Sequence, residues 1–73
     1  MPRRLDTAGL HRALDEKRHE LGLTWSQVAI ATGVSAGTIG RLKTGGRMEV
    51  DGMLALVGWL GRLVEDFVYE SQH

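Results

Sequence analysis

Residues 24–44, "TWSQVAIATGVSAGTIGRLKT", decide the fold. By composition the second half is a loop, with Gly33, Gly37 and Gly40 set among hydroxyl side chains. By spacing it is helical. Ala29 precedes Gly33 by four positions, and Val34, Ile39 and Leu42 stand one, six and nine positions after that glycine. Thr24 is an N-cap, and Gln27, three residues on, completes a capping box in which hydroxyl and amide side chains each satisfy a free backbone amide. Ser35 is placed to cap the next helix, which runs to Leu42 or Lys43. Gly33 and Val34 alone separate the two helices, so they must cross steeply. The small Ala29 lets them touch, Gly33 supplies a positive backbone angle, and Val34 plugs the turn. Gly37 and Gly40 each cost a helix about 1 kcal/mol relative to alanine. The second helix of the pair is therefore weak alone and must be held from behind by Ile39 and Leu42.

The flanks extend the helical pattern. Pro2 is the only proline, so no helix interior is interrupted. A first helix is expected from Thr7 to Leu21, capped by Asp6 or Thr7 and ended by Gly22. Leu10, Leu14 and Leu21, with Ala13 and the stem of Lys17, make its apolar stripe, and Arg12 and Glu16 are spaced as an (i, i+4) pair. After the "KTGGRMEV" loop, Asp51 is expected to cap a fourth helix with Met53, Leu56, Val57 and Leu60 inward and Gly61 at its end. "RLVEDFVYE", residues 62–70, is expected to add one or two turns that bury Leu63, Val64 and Phe67. The expected organisation is a flexible arm over 1–6, one domain over 7–70 with its paired helices at 25–44, and a frayed tail over 71–73.

The chain has 73 residues, enough for one small core. It has no cysteine, hence no disulfide framework or thiolate metal site. No apolar run approaches the ~20 residues that span a bilayer, and Arg3 and Arg4 are followed by no signal-peptide core. A soluble, cytoplasmic setting is the expectation. Net charge is zero but unevenly distributed. Up to Arg47 there are eight Lys/Arg against four Asp/Glu; from Met48 onward Arg62 faces five acids. No acid lies between Leu21 and Arg47, where Arg41 and Lys43 also fall. A local basic stripe of this kind suits a polyanion.

"GLTWSQVAIATGVSAGTIGRLKTGGRMEVDGMLALVGWLG", residues 22–61, resembles the phage repressor and Cro helix-turn-helix family, also called the XRE family. The resemblance extends over about residues 8–68. It rests on "GLT" before the second helix, "VA" within it, "TGVS..TI" across the turn and the apolar fourth helix ending in "LG". It implies an all-α, compact four- to five-helix lambda-repressor-like domain. It also implies sequence-specific binding of double-stranded DNA as a homodimer in transcriptional control, and a bacterial or phage source. The recognition helix, residues 35–43, would enter the major groove. Base contacts would fall to Ala36, Gly37, Thr38 and Arg41, with Arg41 able to bridge both acceptors of a guanine. Phosphate contacts would fall to Trp25, Ser35, Lys43, Thr44 and Arg47. The family often has Gln where Trp25 stands and Glu where Lys43 stands. With so little side chain on the third helix, these departures favour shape readout or pairing of two copies.

Other readings compete for several residues. Arg3 and Arg4 fit an arm on the DNA backbone or minor groove, or a plain tail. Trp25 fits a sugar-phosphate edge, or packing against the first helix. Trp59, Leu63, Phe67 and Tyr69 add apolar surface beyond what one core needs and form a candidate dimer interface. His11, Asp15 and His19 share metal-ligand spacing but lack further ligands, so a solvated face is expected, with no metal and no cofactor. Glu65 and Asp66 have no partner base, and an enzyme is not expected. The alternative function is a protein-interaction module on the same fold, such as an antitoxin or adaptor subunit, for which the neutral charge and sparse third helix speak.

Overall fold

A computed structural model describes residues 3–70. In chain order it has strand β1 (Arg3–Leu5), helix α1 (Thr7–Leu21), helix α2 (Trp25–Thr32) and helix α3 (Ala36–Arg41). A 3₁₀ turn at Leu42–Thr44, helix α4 (Val50–Leu60), a second 3₁₀ turn at Val64–Phe67 and strand β2 (Val68–Glu70) complete it. The described residues are mostly helical, with four α-helices, as expected for the class. The expectation of an all-α chain is corrected by a two-stranded antiparallel sheet in which Arg3, Arg4 and Leu5 pair with Glu70, Tyr69 and Val68.

The helix boundaries follow from local chemistry. Asp6 caps α1 by accepting from the Gly9 amide at 2.9 Å. Thr24 and Gln27 form the capping box of α2, the Gln27 amide donating to Thr24 Oγ1 at 3.2 Å and the Thr24 amide to Gln27 Oε1 at 2.8 Å. Gly33 ends α2 at φ 74°, a conformation that favours glycine. The α4 boundary differs from expectation. Glu49, not Asp51, is its N-cap residue, and it gives no side-chain cap bond. The first turn of α4 packs on the turn before α3, since a Cβ on Gly52 would lie 3.2 Å from Met48 Cε and 3.7 Å from Val34 Cγ2. That packing carries the helix back to Val50 and leaves Asp51 in the first turn, where an acid complements the helix dipole.

The core is one cluster drawn from every helix: Leu10, Leu14, Val28, Val34, Ile39, Leu42, Leu56, Val57 and Phe67. Removing a side chain of this kind costs about 2–5 kcal/mol.

The ends of the domain depart most from the sequence-based reading. Arg3 and Arg4, expected in a flexible arm, lie in β1; Met1, Pro2 and the 71–73 tail lie outside the described residues. The expected last helical turns are one 3₁₀ turn followed by a strand, in keeping with the β preference of Val68 and Tyr69. Half-buried Leu5 packs on the core, and the Asp6 amide bonds to the Phe67 carbonyl, so burial and pairing hold the two ends together. Leu63, expected inside, is 65% exposed. Leu21 is also exposed, because it lies in the last turn of α1, past the core. Arg12 and Glu16 form no ion pair; Arg18 instead pairs with Asp15 at 2.7 Å.

Candidate nucleic-acid interface

α3 is short and leans on what lies behind it. Ile39 and Leu42 are buried, while Ala36, Gly37, Gly40 and Arg41 face outward. A side chain could be added at Gly37 or Gly40 without meeting any atom within 4 Å. Packing within the chain therefore does not require glycine at either place, although propensity disfavours it.

The N-terminal end of α3 is organised around Thr38. Ser35 Oγ accepts from the Thr38 amide at 3.2 Å and donates to Thr38 Oγ1 at 2.8 Å. Arg41 Nη2 donates to the same hydroxyl at 3.2 Å. This chain of bonds draws the exposed guanidinium back along α3. It lies at the lip of a groove of about 530 Å³ between α3 and the start of α4. Arg47 also lines this groove, as do Glu49 and Asp51, with Val34 and Met48 beneath. Lys43, Thr44 and Arg47 are exposed beyond the C-terminal end of α3. Arg41, Lys43 and Arg47 are paired with no carboxylate among the described residues.

Trp25 is half-buried and turned onto α1. Its ring lies 5.1 Å from the His11 ring at 32°, and the Arg18 guanidinium sits 4.9 Å from its centroid. Packing against the first helix is thus the role its ring adopts. The structure corrects the expectation that His11 belongs to a solvated face. His11 is buried, and its ring lies against Trp25. Burial, then the nearby Lys43 charge, lower its pKa below the ordinary 6.5; Asp15 opposes and Arg18 adds to the lowering. The His11 ring thus braces α1 against α2. His19 remains exposed, with Nε2 3.7 Å from Asp15. The Asp15 carboxyl is held below its usual range by its hydrogen bond to Arg18. Among the described residues, no group of three or more His, Cys, Asp or Glu is placed to hold a metal ion.

The expected sites separate into those brought together and those not. Ser35, Thr38, Arg41 and Arg47 line one groove, while Ala36, Gly37, Lys43 and Thr44 are exposed on α3 and the turn after it. Arg3 and Arg4 stand opposite Glu70 and Tyr69 in the sheet. Of the candidate interface residues, Phe67 is only 5% exposed and belongs to the core, with Arg62 over its ring at 5.3 Å. Trp59 is half-buried, with the Lys17 ammonium 4.6 Å from its centroid. Leu63 and Tyr69 are exposed. The sequence reading missed three features: the bracing role of His11, the Thr38 hub, and the acidic wall of Glu49 and Asp51. The Ser35–Thr38–Arg41 spacing of three was the one available signal, since it places all three on one helix face.

No family model, curated protein or solved structure matches the chain.

Proposed function

We propose that the chain is a sequence-specific DNA-binding transcriptional regulator of the phage repressor and Cro (XRE) type. In this reading the bundle is lambda-repressor-like, and α2 and α3 are its helix-turn-helix unit. The observation that carries it is the outward presentation of a side-chain-poor helix on two buried aliphatics, with Arg41, Lys43 and Arg47 around it, paired with no carboxylate among the described residues. Little side chain on Ala36, Gly37 and Gly40 lets the α3 backbone approach base edges in the major groove closely. Arg41 is the residue with reach and donors to read a guanine. Lys43, Thr44 and Arg47 are suited to phosphates. Exposed Leu63 and Tyr69 suit a contact between two copies, and the working compartment is the cytoplasm.

A second reading has its own support. Ile30 is 83% exposed on α2, and Val50 and Leu54 are exposed on α4. With zero net charge, such apolar surface fits a protein-interaction module, an antitoxin or adaptor subunit. Selection of bound duplexes from a random pool separates the two. A regulator recovers a shared, palindromic site, and its affinity falls steeply with salt, with a log–log slope of about −0.9 per phosphate contact. An interaction module recovers no shared sequence and shows no salt-dependent association with duplex.

A further inference from the structure

Glu49 and Asp51 have no side-chain partner among the described residues. Neither forms an ion pair, neither side chain accepts a hydrogen bond among the described residues, and Glu49 leaves α4 without a side-chain cap. Yet both line the groove that Arg41 and Arg47 line. Two cations and two carboxylates thus share one groove of about 530 Å³ without pairing, and their charges cancel there. Charges sharing a groove of this size interact within about one Debye length, ~10 Å at 0.1 M salt. Any phosphate drawn to the arginines is repelled by the carboxylates.

We infer that Glu49 and Asp51 are an electrostatic counterweight that holds down affinity for duplex of arbitrary sequence, so that retention depends on fit at α3. This inference rests on the DNA-binding reading. The basic stripe ends at Arg47, and the acids begin two residues later, in the groove that Arg41 and Arg47 also line. A repulsive element here selects against partners that offer charge alone. It acts equally on every sequence, because phosphates are the same in all of them.

The test is fluorescence anisotropy of a labelled random-sequence duplex. It compares the parent, Glu49→Gln/Asp51→Asn, each single variant, and a control, Glu16→Gln/Glu20→Gln. The control removes the same formal charge from α1, beside a different groove at the other end of α4. At low salt the groove variant is expected to bind roughly three- to tenfold tighter than the parent, with the gain shrinking as salt rises. The control is expected to stay within about twofold, because its charges are farther off and screened. Each single variant carries part of the gain and provides the test if the double variant does not fold. Equal gains in groove and control variants overturn the inference, since net charge alone would then be responsible. An unchanged groove variant beside a parent that binds overturns it while leaving the DNA reading intact. If neither the parent nor any variant binds duplex, the DNA reading itself fails and takes the inference with it.

Discussion

Two regions of this domain reach order by opposite means. From Thr24 to Thr44, each helix start is set by a side chain within three residues: Thr24 with Gln27, Ser35 with Thr38. At the two chain ends, order comes from partners at the far end of the sequence. Arg3, Arg4 and Leu5 are strands only because Glu70, Tyr69 and Val68 lie beside them, and Phe67 fills the core beneath. The first kind specifies where each helix starts from nearby residues, although α3 still needs its buried pegs Ile39 and Leu42 to persist. The second is present only when the whole domain is folded, because it joins residues 3–5 to residues 68–70. A surface that must hold backbone and side chains in register for a ligand is better built from the first kind. The end-to-end clasp is suited to closing the core.

The largest effect that would break this comparison comes from the pegs beneath α3. Ile39→Ala or Leu42→Ala is expected to cost about 2–5 kcal/mol, measured by denaturant unfolding, because both side chains are buried in the shared core. With only six residues in α3, loss of either peg should also release the helix, which amide exchange would report. If both variants melt like the parent, α3 is held by something other than these contacts.

The clasp comes next. Leu5 is half-buried, so Leu5→Ala is expected to cost less, about 1–2 kcal/mol. Amide exchange at residues 68–70 should rise well before exchange in α2. Uniform acceleration across the domain would show that the two regions are one cooperative unit.

The difference also governs what could be read in advance. The caps at Thr24 and Ser35, the stops at Gly22, Gly33 and Gly61, and the pegs Ile39 and Leu42 were legible, because each is a relation between residues a few positions apart. The strands were not: three residues cannot establish an alternating pattern, and their pairing joins opposite ends of the chain. Phe67 was expected both as a buried residue and as a candidate interface residue; its burial holds and withdraws it from the interface. The start of α4 at Val50 depends on packing against Val34 and Met48. The burial of His11 depends on where Trp25 lies, which spacing along α1 does not carry.

A smaller effect sharpens the account of α3. Gly37→Ala and Gly40→Ala face open space, so each is expected to stabilise the fold by up to about 1 kcal/mol. If close backbone approach to DNA is the reason for glycine, the same variants bind duplex more weakly while melting higher. Higher melting with unchanged binding would mean that the missing side chains serve no close approach.

The smallest effect concerns acid. His11 has a lowered pKa in the fold, so its contribution to stability is fully present above 6.5 and is lost as pH falls through the folded value. The melting temperature should therefore drop modestly below pH 6.5, and His11→Phe, which keeps a ring against Trp25, should flatten that part of the profile. Asp15 and Asp66 also have lowered pKa values; Asp66 is held down by the Leu63 amide and by Arg62. Their contributions are present above the ordinary 3.8 and fade only in stronger acid, so the two windows are separable.

The most direct measurement follows backbone amide shifts in a ¹⁵N-labelled sample titrated with duplex DNA. The expected result is a continuous patch of perturbed amides over residues 35–47, with residues 62–70 nearly silent, and loss of the patch in Arg41→Ala/Lys43→Ala. Perturbation centred on 62–70, or a patch on α3 that persists unchanged in that variant, would contradict the proposal that α3 and its flanking cations meet the DNA.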